Sequence, residues 1–151
     1  SDGSIDDDLP NLSTLDTKLE KYRIHNGDVL ISKSGAPFKV AVAEVPEDRK
    51  IIANGNLYVL SVNRKKIDPH YLAAFFSSPS GKELLAREAV GTTIPSVPIK
   101  ALSNIKVPLE DADRQKTIAD AYLAKTDEIK LLKLRRSRAR QELTDLFDEE
   151  G

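Results

Sequence analysis

The chain contains no cysteine, no methionine and no tryptophan, and aromatic residues make up only 5% of it. Without cysteine it has no disulfide bond, no thiolate metal ligand and no thiol nucleophile, and it suits a reducing compartment such as the cytoplasm. The scarcity of aromatic residues means that any binding surface works without large aromatic anchors. The missing initiator methionine, with the start Ser1-Asp2-Gly3, leads us to expect a fragment of a longer protein.

Long hydrophobic runs are also missing. No stretch approaches the roughly 20 apolar residues that cross a bilayer, and no signal peptide is evident, so we expect no membrane partner. The formal net charge of −1 is unevenly distributed. The first 20 residues carry one basic and six acidic side chains. Residues 21–112 carry thirteen basic and nine acidic side chains, and residues 113–151 carry nine basic and nine acidic ones. The basic middle block is compatible with a phosphate-facing surface, and equally with an ordinary solvated one.

The first two-thirds of the chain carry the signals of a small sheet with short helices. Because the turns between the apolar segments are short, we expect a mixed or antiparallel sheet. Asp68 is a good N-cap for a helix that starts at Pro69, and Ser80 is expected to cap a second helix ending near Arg87. Residues 1–17 are expected to be loop. The predicted strands are residues 29–32, 39–45, 51–52, 57–62 and 104–108.

The segment from Asp113 to Glu150 contains no Gly or Pro and predicts one helix of about 35 residues, roughly 50 Å long. Nine of its positions follow alternating steps of four and three, which is the spacing of a coiled-coil seam. The globular part is too small to cover this seam, so we expect a partner helix from another chain or from elsewhere in a longer chain. Lys125 and Arg136 lie in the seam and would weaken simple dimerisation. Its apolar positions, the expected coiled-coil interface, are Ile118, Tyr122, Ile129, Leu132, Ala139, Leu143 and Leu146.

The sequence offers no catalytic or cofactor motif. His25 and His70 lie far apart and have no neighbours at metal-ligand spacing, so we expect no metal. No phosphate-binding glycine motif, hydrolase motif or N/D-P-P-Y/F tetrapeptide is present. We therefore expect no cofactor, and we expect that this chain alone does not methylate a substrate.

Two loops are better candidates for a binding site, one between the first two predicted strands and one after the second helix. Hydroxyl groups, backbone N–H groups and lysines are typical contacts to a nucleic-acid backbone. Each loop also has an equally good structural interpretation, the first as a hairpin turn and the second as a connector with a glycine C-cap. The basic run 130–140 is more typical of the solvated flank of a coiled coil. The candidate residues are Lys33, Ser34, Gly35, Lys39, Thr92 and Thr93.

Taken in order, these features resemble the conserved segments of type I restriction-modification specificity subunits. Residues 26–35 resemble the strand and turn written G-D-v-L-i-x-r-x-G in that family, and residues 68–78 resemble its p-x-y-L-x-x-x-l-x-S helix. Each match is weak alone, but five in sequence are fairly specific, and together they span residues 22–143. The other three segments are residues 54–60, 91–97 and 105–119.

The resemblance implies an α+β target-recognition domain, residues 1–112, followed by a long coiled-coil spacer helix, residues 113–151. It implies a binding protein rather than an enzyme. The six candidate residues would contact duplex DNA, and the chain would direct adenine methylation and cleavage. That chemistry would belong to partners, namely a methyltransferase subunit that uses S-adenosylmethionine and a restriction subunit.

A specificity subunit contains two such units, whereas this chain holds one. A half-subunit that dimerises through its helix and the C-terminal region of a larger methyltransferase polypeptide both remain open. An adaptor that assembles through its helix without binding DNA is the alternative from another functional class.

Overall fold

The computed structural model describes residues 9–20, 23–35, 37–91 and 93–150, with only the backbone of the last two. Within them, four strands form an antiparallel sheet in the order β1-β6-β3-β4, and two further strands form a small antiparallel ribbon, β2-β5. The predicted α+β fold class, a small sheet domain with short helices and one long helix, is confirmed. The strands are β1 (Lys18–Glu20), β2 (Arg23–Ile24), β3 (Val29–Ser32), β4 (Val40–Val42), β5 (Ile51–Ile52) and β6 (Leu57–Ser61); the helices are α1 (Pro69–Ser77), α2 (Pro79–Glu88), α3 (Ile99–Ser103) and α4 (Ala112–Glu150).

Alternation of side chains along β3 and β6 gives the sheet two different faces. Ile31 of β3 lies opposite Tyr58 of β6, and both are buried in the main core with the helices. Their neighbours Leu30 and Val59 belong to the other face, where a smaller cluster forms with Ile24 of β2. The sheet is therefore covered on both sides, by helices on one and by the β2-β5 ribbon on the other.

Helix α1 begins as the sequence predicts. The Asp68 side chain accepts hydrogen bonds from the backbone N–H groups of His70 and Tyr71, which satisfies donors that the first turn of a helix leaves free. Pro69 occupies the first turn, where its missing N–H costs nothing.

Helix α2 begins earlier than predicted, and the expected cap Ser80 is wrong. Ser78 is the cap, because its Oγ accepts a hydrogen bond from Gly81 N–H and Pro79 starts the helix. Gly81 has a packing reason, since an added Cβ would lie 1.9 Å from the Phe75 carbonyl oxygen. Only a glycine lets α2 pack this closely on the end of α1.

Residues 104–108 do not form the predicted strand. In the described residues this segment makes a single antiparallel bridge, Asn11 to Lys106, and a hydrogen bond from Val107 N–H to the Pro10 carbonyl. The apolar alternation that suggested a strand is real, because Ile105 and Val107 are buried in the core.

Helix α4 begins beside α1 and then leaves the domain. Asp111 Oδ1 accepts a hydrogen bond from Arg114 N–H, and Gln115 Oε1 accepts one from Asp68 N–H, which ties the start of α4 to the start of α1. Ala119 is buried in the core. From residue 127 to residue 148 every side chain is exposed. The helix has 39 residues and is therefore about 58 Å long. Among the described residues, no helix is long and apolar enough to cross a membrane.

Candidate nucleic-acid interface

The two predicted loops meet at one end of the sheet. The Lys33 carbonyl accepts a hydrogen bond from Val97 N–H at 3.1 Å, and Gly35 N–H donates one to the Pro95 carbonyl at 3.0 Å. An antiparallel bridge between Ser34 and Ser96 lies between these bonds. Residues far apart in the sequence therefore form one surface, which we call the loop end of the domain (residues 33–35, 37–39, 54–56 and 93–97).

Lys33 is held at this end by an aromatic ring. Its Nζ lies 5.2 Å from the centroid of the Tyr58 ring, a cation–π distance. Tyr58 is fixed in turn, because its buried hydroxyl donates a hydrogen bond of 2.7 Å to the Val97 carbonyl. Burial raises the pKa of Tyr58, so this hydroxyl keeps its proton. Lys33 has no carboxylate partner among the described residues, and its charge remains available to an anion.

Two further candidate residues of the first loop are accessible. Ser34 and Lys39 are exposed, and the backbone of Lys39 is fixed to β3 because its N–H donates to Ser32 Oγ at 2.8 Å. Gly35 has a φ of +111°, a conformation that glycine adopts without strain. No atom lies within 4 Å of a Cβ built on Gly35. This loop can therefore be approached closely by a ligand.

The second loop is described except for Thr92. Thr93 is exposed, and the loop is closed at its base by the pairing of Val90 with Ser96. Gly91 has a φ of +99°, and an added Cβ would lie 3.2 Å from the Ile94 carbonyl oxygen. Glycine is therefore favoured at this turn, chiefly by its positive φ. Thr92, the remaining candidate, lies outside the described residues.

Sequence reasoning missed two parts of the loop end. The turn between β5 and β6 joins it, because the Asn56 carbonyl accepts a hydrogen bond from Lys33 N–H at 2.9 Å. The start of α3 joins it as well. Lys33, Asn54, Gly55 and Ile99 line a cleft of ≈ 550 Å³. Which residues lie beside the turn depends on strand order, which the sequence alone does not give.

The predicted coiled-coil residues divide into two groups along α4. Ile118 and Tyr122 are half-buried and pack against the core of their own domain. Beyond them, Ala139 is exposed, as are the large apolar residues of the seam. The exposed fractions are 42% for Ile129, 55% for Leu132, 59% for Leu143 and 57% for Leu146. The far part of the seam is therefore the part that is free to meet another helix.

One ion pair links α4 to the segment that follows the edge strand β4. Lys130 Nζ lies 2.8 Å from Glu44 Oε1. The hydrogen bond from Lys130 lowers the pKa of Glu44, and the same bond raises the pKa of Lys130. Both side chains are more than half exposed, so the pair contributes little to the free energy of unfolding. It marks the point where α4 passes the sheet.

The buried carboxylate of the domain has a structural role. Asp28 is 4% exposed, and its Oδ2 accepts a hydrogen bond of 2.7 Å from His25 N–H. Burial raises the pKa of Asp28, and the bond from His25 lowers it in part. Asp28 therefore closes the turn before β3. Across the described ranges, no three His, Cys, Asp or Glu side chains are grouped in a way that could hold a metal ion.

The known proteins that are similar to this chain include two specificity subunits of type I restriction systems. The MjaX type I restriction enzyme specificity subunit of Methanocaldococcus jannaschii is 29% identical over 106 residues, which are 67% of this chain and 24% of that protein. The crystal structure of the type I restriction-modification system S subunit from M. genitalium matches with a TM-score of 0.55 at 21% identity, over 72% of this chain and 28% of that one. At that identity the match shows the fold alone. The chain spans about a quarter of the length of each relative.

The family comparison covers much more of the chain. The model of the type I restriction modification DNA specificity domain matches residues 9–138. The match includes the whole sheet, the loop end and the part of α4 that packs on the core. The chain therefore belongs to the type I restriction modification DNA specificity domain family.

Proposed function

We propose that the loop end is the surface that contacts duplex DNA, with Lys33 and Lys39 on the phosphate backbone. The observation that supports this most directly is the joining of the two loops, which brings the exposed hydroxyls of Ser34 and Thr93 and the open backbone at Gly35 together with both lysines. Phosphate contacts of this kind position a protein on DNA, while neighbouring side chains read the bases. Thr92 remains a proposed contact on sequence grounds.

Salt dependence of binding tests this assignment. Enrichment from a random duplex library at low salt would give a preferred duplex, and affinity would then be measured over a range of salt concentrations. Each lost phosphate contact reduces the slope of log K against log[salt] by about 0.9. We expect the Lys33→Ala/Lys39→Ala double variant to reduce that slope by about 2 and to weaken binding to all duplexes.

Lys82 provides the matched control. It is exposed and lines a groove between α2 and α4, away from the loop end. We expect Lys82→Ala to leave the slope unchanged. If the double variant binds with the affinity and slope of the wild type, the loop end is not the DNA-binding surface.

We further propose that the chain directs adenine methylation and DNA cleavage that partner subunits carry out, in the cytoplasm. The exposed far seam of α4 supports an assembly role, since it offers a row of apolar side chains that nothing in the described domain covers. Its partner is a second helix, from another copy of the chain or from a longer parent chain. Reconstitution with a methyltransferase subunit tests the proposal: methylation of the enriched duplex should require the chain and should be lost in the Lys33→Ala/Lys39→Ala variant.

A further inference from the structure

The turn between β5 and β6, which we call the Asn-Gly-Asn turn (residues 54–56), is rigid. Asn54 Oδ1 accepts a hydrogen bond of 2.8 Å from Asn56 N–H, and the Asn56 carbonyl accepts the bond from Lys33 N–H. Both backbone groups of Asn56 are therefore occupied, and its main chain is held beside Lys33. The Cβ of Asn56 therefore has a defined position relative to the Lys33 main chain.

The Asn56 side chain, by contrast, makes no hydrogen bond with any described residue, although it is exposed at the loop end. Its amide offers two donors and one acceptor group in a plane. Asn54 differs, because its oxygen is used within the turn. The cleft beside the turn is lined by the other two residues of the turn, Asn54 and Gly55, together with Lys33 and Ile99.

We propose that Asn56 reads the edge of an adenine base in the major groove of the DNA. An asparagine amide forms two hydrogen bonds with adenine N6 and N7, a pairing that discriminates against other bases. Lys33 beside it would hold the adjacent phosphate and so set the distance from the turn to the base. This inference rests on the proposed DNA-binding role of the loop end and assigns one of its residues to sequence readout.

Library enrichment with two variants of Asn56 tests the inference. Asn56→Ala should lose a preference for adenine at one position and should bind the wild-type duplex about 5- to 150-fold more weakly, the discrimination expected of a bidentate contact. Its affinity for random duplex should not change. Asn56→Asp should shift the preference at that position towards cytosine, whose N4 amino group donates to a carboxylate.

Two controls separate base reading from folding. The backbone of Asn56, not its side chain, joins the loops, so thermal unfolding of Asn56→Ala should match the wild type. Asn104→Ala changes another exposed asparagine, which lines a groove with Phe75 on a different part of the surface, and should leave the base preference unchanged.

Substitution of Gly55 gives a second, independent test of whether this turn lies against the DNA. No atom lies within 4 Å of a Cβ built on it, and its φ is not in the left-handed region, so the fold tolerates a side chain there. A leucine at the tip of the turn would meet the duplex instead. We expect Gly55→Leu to fold normally and to bind selected and random duplexes more weakly.

The outcomes distinguish this inference from the proposed function. If the lysine variants lose affinity while Asn56→Ala retains the wild-type base preference, the loop end binds DNA but Asn56 does not read a base. If Asn56→Ala weakens binding to all duplexes equally, the residue contacts phosphate only and the inference is wrong. A chain that enriches no sequence and is insensitive to the lysine variants overturns both.

Discussion

Tyr58 and Val97, 39 positions apart, are joined by a hydrogen bond of 2.7 Å from the tyrosine hydroxyl to the valine carbonyl. The bond connects the central strand β6 to the base of the second loop. Tyr58 also lies beneath Lys33, so a single buried side chain supports both loops of the candidate interface.

Tyr58→Phe isolates the contribution of that hydroxyl. The phenylalanine ring still lies beneath Lys33, but the Val97 carbonyl loses its donor in a buried place. We expect the free energy of unfolding to fall by about 1–3 kcal/mol, and DNA affinity to fall as well because the second loop is less well fixed. Urea denaturation and duplex titration measure the two effects.

Tyr71→Phe is the matched control, since the Tyr71 hydroxyl donates to the Pro108 carbonyl away from the loops. It should cost comparable stability without changing DNA affinity. Equal DNA affinity in the wild type and Tyr58→Phe would contradict the role assigned to the bond.

Asp28 makes stability depend on pH in a defined direction. Its folded pKa is raised above the unfolded value near 3.8, so the folded state binds more protons than the unfolded state just above that value. The free energy of unfolding therefore falls as the pH rises from about 3.8 through the folded pKa. Asp28→Asn removes this titration and keeps an oxygen that accepts from His25 N–H.

Denaturation between pH 3 and pH 7 checks this prediction. The stability of the wild type relative to Asp28→Asn should decrease across that interval, whereas parallel curves would show that Asp28 does not titrate as stated. Asp28→Ala also leaves His25 N–H without its acceptor and should cost about 1–3 kcal/mol at every pH.

The ion pair between Lys130 and Glu44 predicts a change in a measurable pKa rather than in stability. Because Lys130 holds the Glu44 carboxylate by a hydrogen bond, the pKa of Glu44 lies below its ordinary value. The ion pair is intact at pH values above the ordinary pKa of a glutamate. It is lost as the pH falls through the lowered pKa of Glu44. In an NMR titration, the pKa of Glu44 should be higher in Lys130→Met than in the wild type. Lys133→Met removes the next cation along α4 and should leave the pKa of Glu44 unchanged. If Lys130→Met also leaves the pKa of Glu44 unchanged, the ion pair does not form in solution.

The far seam of α4 predicts which leucines control assembly. Leu132→Glu and Leu143→Glu place a charge in the seam, and light scattering at two concentrations should show that they abolish association. Leu134 is similarly exposed, at 48%, but lies outside the seam, so Leu134→Glu should associate like the wild type. A wild-type chain that is monomeric at both concentrations would contradict pairing between two copies and would place the partner helix in a longer chain or another subunit.

Much of this fold could be predicted from the sequence because the signals for its elements are local. The alternation along β3 and β6 gives the buried face, and Asp68-Pro69 gives the start of α1. The segment without Gly or Pro predicted the start of α4 to within one residue, Asp113 against Ala112. These features depend on residues that are close together in the chain, and the sequence displays them directly.

The missed elements depend on distant partners. β1 and β2 have only three and two residues, too few to show a period, and each exists because a strand elsewhere pairs with it. α3 follows Pro98 without a side-chain cap, so no start signal marks it. The same limit applied to the site: the two loops were predicted, but the Asn-Gly-Asn turn joined them only once β6 was known to pair with β3.

The bonds that assemble the loop end come mainly from the main chain. Lys33, Gly35, Asn56 and Val97 are connected through their N–H and carbonyl groups, which every residue except proline possesses. Most exposed side chains on this surface could therefore be exchanged without dismantling the frame that carries them. If the loop end binds DNA as we propose, substitutions of these side chains can change the preferred DNA sequence at little cost in stability.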